Sequence, residues 1–461
     1  MESQESPVPG LAKPAPPEPS GRTGLLSRPL VAPLLIALLC FAAYLSNGRT
    51  LPHAMAGDTI PTRLVPFSLL GYGTLTLDPF RNAVETHGGR IWIRETGGHL
   101  VSSSPIGTPM VAVPFYAIAW GWFILHDWTE ASTILVLAEK VEKPVAAAIA
   151  ALAVAFVYGA LRRRVSLRSA LVTALGFGLA TSMWGTASQM LWQQGPVAFS
   201  VSLGLLFLTW PSSPRWSIAA GGAAFGLAFA CRPTSAIFLA AAGLAVLVGG
   251  RSLADGVRRS ALFALSALPV IGLALLYNLV YYGNLLGWYG QAKGIFELAR
   301  LPIGFAGLLV SPNRGILVFS PVVALGFAGF VRSWLSPRRD PLVACLGAGA
   351  IAHIVLVATY RDWGAAFSFG TRYLTDILPI LALAGGEIVE RLTRAPRRIF
   401  ALLLAWSLLV QLNGVVCYPA SNWNGRFRLD IEKAAWDWTN FELWQDFQSW
   451  REQPKLVAPW Q

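Results

Sequence analysis

Pro29-Leu-Val-Ala-Pro-Leu-Leu-Ile-Ala-Leu-Leu-Cys-Phe-Ala-Ala-Tyr-Leu45 is the first strongly apolar run of the chain. It is followed by a long stretch, Ser46–Ser104, that is not apolar at all. The run has the length a helix needs to cross hydrocarbon. The stretch after it mixes Asp58, Arg63, Asp78, Arg81, Glu85, Arg90, Arg94, Glu95 and His99 with aromatics and glycines. From Ser104 to Val416 the chain is again mostly apolar runs joined by short loops. A long polar loop in such a chain is where water-side chemistry belongs, and Gly57-Asp58-Thr59-Ile60-Pro61 stands near its start.

Composition supports this reading. The chain has 461 residues, 54% hydrophobic and only 13% charged, about half the charged share of an ordinary soluble domain. Mean hydropathy is +0.52. The expected fold class is therefore an all-α polytopic membrane protein. The formal net charge of +12 would suggest nucleic acid in a soluble protein; here the excess of basic residues in cytoplasmic loops explains it, and no nucleic-acid partner is expected. Cys40, Cys231, Cys345 and Cys417 all lie in or at the end of apolar runs, with no CxxC or His/Cys cluster. Neither a disulfide framework nor a zinc site follows.

Taken in order, residues 1–28 are rich in Pro, Glu, Gly and Ser and read as a disordered cytoplasmic tail. Residues 29–416 form one membrane domain, with 46–104 as its first outer loop, and 417–461 form an outer-face C-terminal tail rich in tryptophan. After the first helix, spans are expected at roughly 144–161, 169–188, 196–211, 217–231, 233–249, 260–282, 315–331, 341–360, 373–390 and 399–416. That makes about eleven transmembrane helices. Residues 105–126 are long and apolar enough to be another, but parity argues against a crossing. If that segment crosses, the arginine clusters at 162–164, 251–259, 338–339 and 394–398 all fall outside. If it stays on the outer surface, 18 Lys+Arg face 7 Asp+Glu inside, as the positive-inside rule asks. It reads as a juxtamembrane helix in the outer leaflet, broken or bent by Pro109 and Pro114. Arg90–Arg94, bounded by His-Gly-Gly and Thr-Gly-Gly, alternates like a short strand or hairpin. Gly222 and Gly226 allow close helix packing.

Several residues carry candidate chemistry. Asp58, between Gly57 and Pro61, is either a solvated turn aspartate or a general base at the membrane face. Arg314, in Ser311-Pro-Asn-Arg-Gly315, and Arg372, in Gly370-Thr-Arg-Tyr373, stand at the starts of outer-leaflet helices. Each is either an arginine reaching to the interface or a planar fork for phosphate oxygens. Arg232, between an apolar run and Pro233, is costly there unless paired or wet, which makes it a third phosphate candidate. Asp78, Glu95, His99, Tyr289 and Lys293 are weaker substrate-binding candidates. Trp192-Gln193-Gln194 is a polar, aromatic turn that faces outward. No His or Cys spacing supports a metal site.

A first spanning helix, a long outer loop with an early Asp, and an apolar segment opened by small residues and prolines resemble the GT-C superfamily of glycosyltransferases. The closer likeness is to the branch holding protein O-mannosyltransferases and the aminoarabinose transferase of lipid A. The matching pieces are Gly57–Pro61, Ser103-Ser-Pro-Ile-Gly-Thr-Pro109, Ser311–Gly315 and Phe369–Tyr373. The resemblance implies an inverting transfer of a sugar from a polyprenyl-phosphate donor to a glycan, lipid or protein acceptor. The active site would lie on the outer face of the cell (inner) membrane, with Asp58 as base or acceptor-orienting group. Where the family carries a second acidic residue beside the first, Thr59 stands here, so whether a divalent metal takes part stays open. The rival readings are a transporter or flippase of lipid-linked glycans and a surface-polysaccharide polymerase or ligase.

Overall fold

In the computed structural model the described residues are 30–47, 57–87, 92–292, 294–337, 339–365, 368–418, 421, 423–426 and 431–452. The N-terminal tail and Lys293 fall outside them. The chain is built of helices and one short hairpin. The helices are α1 (Val31–Leu45), α2 (Ile60–Tyr72), α3 (Arg81–His87), α4 (Gly107–Leu125), α5 (Ala131–Leu161), α6 (Leu167–Leu179), α7 (Gln194–Leu208) and α8 (Arg215–Cys231). They continue as α9 (Ala236–Val248), α10 (Leu253–Tyr282), α11 (Trp288–Gln291), α12 (Leu301–Val310), α13 (Ile316–Phe319), α14 (Ala324–Leu335), α15 (Pro341–Ala358), α16 (Leu378–Arg391) and α17 (Arg394–Val416). Three short helices, α18 (Trp423–Arg426), α19 (Ile431–Ala435) and α20 (Glu442–Glu452), follow.

Every expected span coincides with helical structure, and the chain is a polytopic helical membrane protein. Among the described residues five helices are long and apolar enough to cross a bilayer unaided: α4, α5, α10, α15 and α17. Leu265, Leu268, Leu273 and Leu276 on α10 are exposed, as a lipid-facing wall should be. On its other side α10 packs against α8. Gly222 and Gly226 make that contact close: a Cβ at Gly222 would stand 2.0 Å from the Phe263 carbonyl, and one at Gly226 would stand 2.9 Å from that of Ala267. The core continues through α8 on α7, α7 on α5, α5 on α1, α15 on α9, and α14 on α16.

The structure departs from the sequence reading in several places. The long polar segment 46–104 contains α2, whose residues Ile60–Ser68 are all buried; a loop reading missed it because its charged Arg63 is paired with Glu142 from a distant helix. The hairpin pairs β1 (Ile93–Thr96) with β2 (His99–Ser102) through Gly97-Gly98, whose φ values are +59° and +83°. Arg90 and Ile91 of the expected strand lie outside the described residues, and Trp92, before β1, has a φ of +66°. Between Gly283 and Arg314, read as loop, α12 packs on α15. The span at 315–331 is interrupted at Ser320-Pro321, where proline removes a helical donor. The span at 169–188 ends at Leu179 and resumes as a π turn, Met183–Ala187. Pro109 lies in the first turn of α4, and Pro114 sits inside that helix without breaking it.

Candidate active site

A cavity of about 1050 Å³ opens among the hairpin, the Leu191–Gln194 turn, the α8–α9 break, the segment after α10, and the residues that follow α15. Asp58 lies on its wall. The backbone reaches it through a tight helical turn, Gly57–Thr59, that runs directly into α2. Pro61 fits in the first turn, where a missing N–H is harmless. Ser104 Oγ donates to the Asp58 carbonyl at 3.3 Å and ties that turn to the end of the hairpin.

Both carboxylate oxygens of Asp58 are engaged. Trp192 Nε1 donates to Oδ1 at 2.9 Å, and Arg372 Nη1 donates to Oδ2 at 2.9 Å. The Arg372 guanidinium also lies 5.0 Å from the Trp192 ring and 5.3 Å from that of Tyr373. Trp192 thus orients the carboxylate and braces the arginine that faces it. Arg372 opens the turn Arg372–Ile377 that leads into α16. Arg372 lines the cavity, and among the described residues its buried Nε has no hydrogen-bond partner.

Glu142 of α5 fixes the relative placement of these parts. Its Oε2 accepts from Arg63 of α2 at 2.9 Å, and its Oε1 accepts from the Leu191 N–H at 2.9 Å. Both side chains of that ion pair are almost wholly buried. One carboxylate therefore anchors both the helix that follows the Asp58 turn and the turn that carries Trp192. The start of α4 packs tightly on the end of α8: a Cβ at Gly107 would stand 2.2 Å from the Ala230 carbonyl carbon. Gly107 is thus needed for contact with the end of α8, where Thr108 Oγ1 also donates to the Cys231 carbonyl at 3.3 Å.

Arg232 also lines the cavity. Its Nη1 lies 2.5 Å from Asp376 Oδ2 and its guanidinium 5.1 Å from the Tyr373 ring. Tyr289 lines the cavity and exchanges a hydrogen bond with Gln193. Trp92, Trp288, Tyr360 and Asp362 complete the polar and aromatic wall; Leu286, Ile295, Phe296, Leu356 and Val357 supply an apolar side. Trp92 owes its place to the positive φ, which Ser103 secures by donating to the Trp92 carbonyl from both N and Oγ. Sequence reasoning missed Trp92, Tyr360 and Asp362. The Trp192-Gln-Gln turn was legible only as a polar aromatic turn.

Other expected site residues lie elsewhere. Arg314 is 1% exposed and is not on the cavity wall. Its Nη1 meets Glu442 at 2.5 Å, its Nε donates to the Gly364 carbonyl at 2.7 Å, and its Nη2 donates to Asn424. It anchors the C-terminal cap, with Trp423 4.8 Å from its guanidinium. Burial pushes the Glu442 carboxyl above the usual range, and Arg314 opposes that shift. Asp78, Glu95 and His99 form a second cluster off the cavity. His99 Nδ1 lies 2.6 Å from Asp78, the Leu100 N–H donates to Asp78 at 2.8 Å, and Arg81 bridges Asp78 and Glu95. Burial works to raise the Asp78 carboxyl, but these donors together with Thr76 outweigh it and hold it at about 2. The cluster pins the hairpin onto Asp78–His87. Among the described residues no group of three His, Cys, Asp or Glu side chains is arranged to hold a metal ion.

No protein-family model and no curated protein matches the chain. Solved structures do. ArnT from Cupriavidus metallidurans, bound to undecaprenyl phosphate, aligns over 91% of this chain and 75% of its own, at 17% identity and a TM-score of 0.50. The oligosaccharyltransferase of Archaeoglobus fulgidus aligns over 91% of this chain and 63% of its own, at 13% identity and a TM-score of 0.49. The likeness to ArnT is one of architecture: this chain has the polytopic, all-α GT-C fold.

Proposed function

We propose that the protein is an integral-membrane glycosyltransferase that takes a sugar from a polyprenyl-phosphate donor and passes it to an acceptor on the outer face. The observation that carries this reading is Asp58, a carboxylate on a large cavity wall with Arg372 against it and Arg232 on the same wall. ArnT, whose fold this chain shares, has been solved with undecaprenyl phosphate bound.

The chemistry follows from what each group offers. Arg372 holds Asp58 Oδ2. An arriving phosphate competes for that guanidinium and releases Oδ2 to the acceptor, while Trp192 keeps the carboxylate oriented through Oδ1. Asp58 takes the acceptor hydroxyl proton as the acceptor oxygen attacks the anomeric carbon. The bond from the anomeric carbon to the phosphate oxygen breaks on the opposite side, giving inversion, and its electron pair leaves with polyprenyl phosphate. The charge that grows on phosphate is met by Arg372 and Arg232. The aromatic wall offers faces for the sugar, and the apolar side offers a path for the isoprenoid.

The reading is tested by incubating purified protein with a series of polyprenyl-phosphate sugars and following release of polyprenyl phosphate. Turnover with one donor is the expected result. Failure with all of them, together with lipid translocation in vesicles, would turn the assignment to a flippase. The outer-face placement has its own test. We read α4 as lying in the outer leaflet, with Ile118, Trp122 and Leu125 exposed. In a cysteine-free background, cysteines at Asp127 or Glu130 should react with an impermeant thiol reagent from outside, and one at Ser166 should not; the reverse pattern would make α4 a crossing helix.

A further inference from the structure

Arg232 on the cavity wall belongs to a second arginine–carboxylate pair, whose carboxylate, Asp376, the proposed chemistry does not use. Arg232 ends α8 in extended backbone, with Pro233 next to prevent the helix from continuing. Among the described residues its guanidinium makes one hydrogen bond, from Nη1 to Asp376 Oδ2 at 2.5 Å. Asp376 is 0% exposed. His353 Nε2, equally buried, lies 3.5 Å from the same Oδ2 and 3.4 Å from the Tyr373 carbonyl oxygen. Asp376 Oδ1 has no partner among the described residues.

Such a group is costly. A buried carboxylate oxygen without a donor forgoes the hydration it had in water, and buried ion pairs are often less stabilising than apolar side chains of the same size. Stability is thus a poor reason for Asp376 to be there. Position offers a better one. Tyr373 has two guanidiniums near its ring, Arg232 at 5.1 Å and Arg372 at 5.3 Å. Each arginine has its own carboxylate, but the two carboxylates differ. Asp58 lies on the cavity wall, where a ligand can displace it from Arg372. Asp376 is sealed away from the cavity and stays with Arg232 whatever enters.

We propose that Asp376, with His353 packed beside it, is a positioning residue that fixes the Arg232 guanidinium beside Tyr373, so that Arg232 and Arg372 together meet the phosphate of a lipid-linked ligand. This rests on the lipid-phosphate reading above. Arg372 changes partners during the cycle, whereas Arg232 keeps one and presents its remaining donors in a constant place. Ordering a long side chain in advance removes part of the cost of binding.

The test is a double-mutant cycle on full-length protein in detergent, with binding of a short-chain prenyl monophosphate as the readout and thermal unfolding as the check on folding. Asp376→Asn keeps the shape and removes the charge, and should weaken binding about tenfold, the upper end of what ordering one side chain is worth. In an Arg232→Ala background the same change should have no further effect, because Asp376 acts through Arg232. In an Arg372→Ala background its effect should persist. A purely structural Asp376 would instead weaken binding equally in all three backgrounds, or leave binding unchanged while lowering the unfolding temperature; either result overturns the proposal. Should Asp376→Asn fail to fold, His353→Gln in the same three backgrounds gives the same decision with a smaller, about threefold, loss expected. Absence of prenyl-phosphate binding by the unsubstituted protein would overturn the lipid-phosphate reading and this proposal with it. Normal binding combined with an effect of Asp376 that is independent of Arg232 would overturn this proposal alone.

Discussion

Arg372 and Arg314 look alike in sequence: each stands at the start of a helical segment, with a glycine adjacent or two residues away, among aromatic and small residues. Both are nearly buried. Their surroundings differ. Arg314 has Glu442, Asn424 and two carbonyls around its guanidinium, all from inside the protein. Among the described residues Arg372 pairs with one carboxylate, which itself stands on a cavity wall that the arginine also lines. The first arginine is saturated and the second lines a cavity. A guanidinium whose donors are all satisfied internally has little to offer a ligand, and removing it leaves a buried charge behind. One that lines a cavity and shares its wall with its only carboxylate partner among the described residues can turn to a ligand.

The contrast makes predictions that differ in size. The largest concerns the partner of Arg372. Asp58→Asn keeps the hydrogen bond from Trp192 but removes the basic oxygen, and transfer should fall by about 10²–10⁴-fold, the usual range for general-base loss. Turnover within about twofold of wild type, measured on equal amounts of folded protein, would discard Asp58 as the base.

Arg372→Ala should lower kcat by about 10²-fold, the scale of losing one strong transition-state donor. Lysine there should rescue only part of the loss, because it keeps the charge without the planar fork. Full rescue by lysine would mean that Arg372 contributes charge alone.

Arg314→Ala should act on the other axis. It leaves Glu442 buried without its counter-charge, and breaking such a pair costs about 3–5 kcal/mol. The unfolding temperature should drop and the cap around Trp423 should loosen, while kcat per folded molecule stays within about threefold of wild type, as expected for a residue off the site. A loss of kcat as large as that of Arg372→Ala, at unchanged stability, would erase the distinction between the two arginines.

The smallest effect is expected at the hairpin. The Asp78 carboxyl sits at about 2 in the folded chain, below its unfolded value of about 3.9. A depressed carboxylate contributes stability that is complete above the unfolded value and is lost as pH falls towards the folded one. Protease resistance of the hairpin should therefore be flat from neutral pH to about 4 and decline only below that. Asp78→Asn should make the hairpin easier to cleave at neutral pH, with kcat/KM within about threefold of wild type. A much larger kinetic loss would bring Asp78 back into the substrate site.

The class of fold was legible in the sequence because apolar runs of bilayer length are local features, and a chain cannot hide them. Asp58 was legible for a similar reason: it stands alone between Gly57 and Pro61 in the one long polar loop near the start. What the sequence left undecided was which charged residues share a wall. Arg372 and Asp58 are separated by 314 positions, and no pattern along the chain joins them. Trp192, Tyr360 and Asp362 come from turns whose local sequence suits any outer loop. Arg314 and Arg372 carry the same short-range signal, and only packing shows that α20 and Asn424 close around the first while a cavity opens before the second. Hydrophobic patterning along the chain set the helices and the polar loop. Tertiary structure decided which guanidinium lines a cavity, because that depends on partners brought in from distant segments.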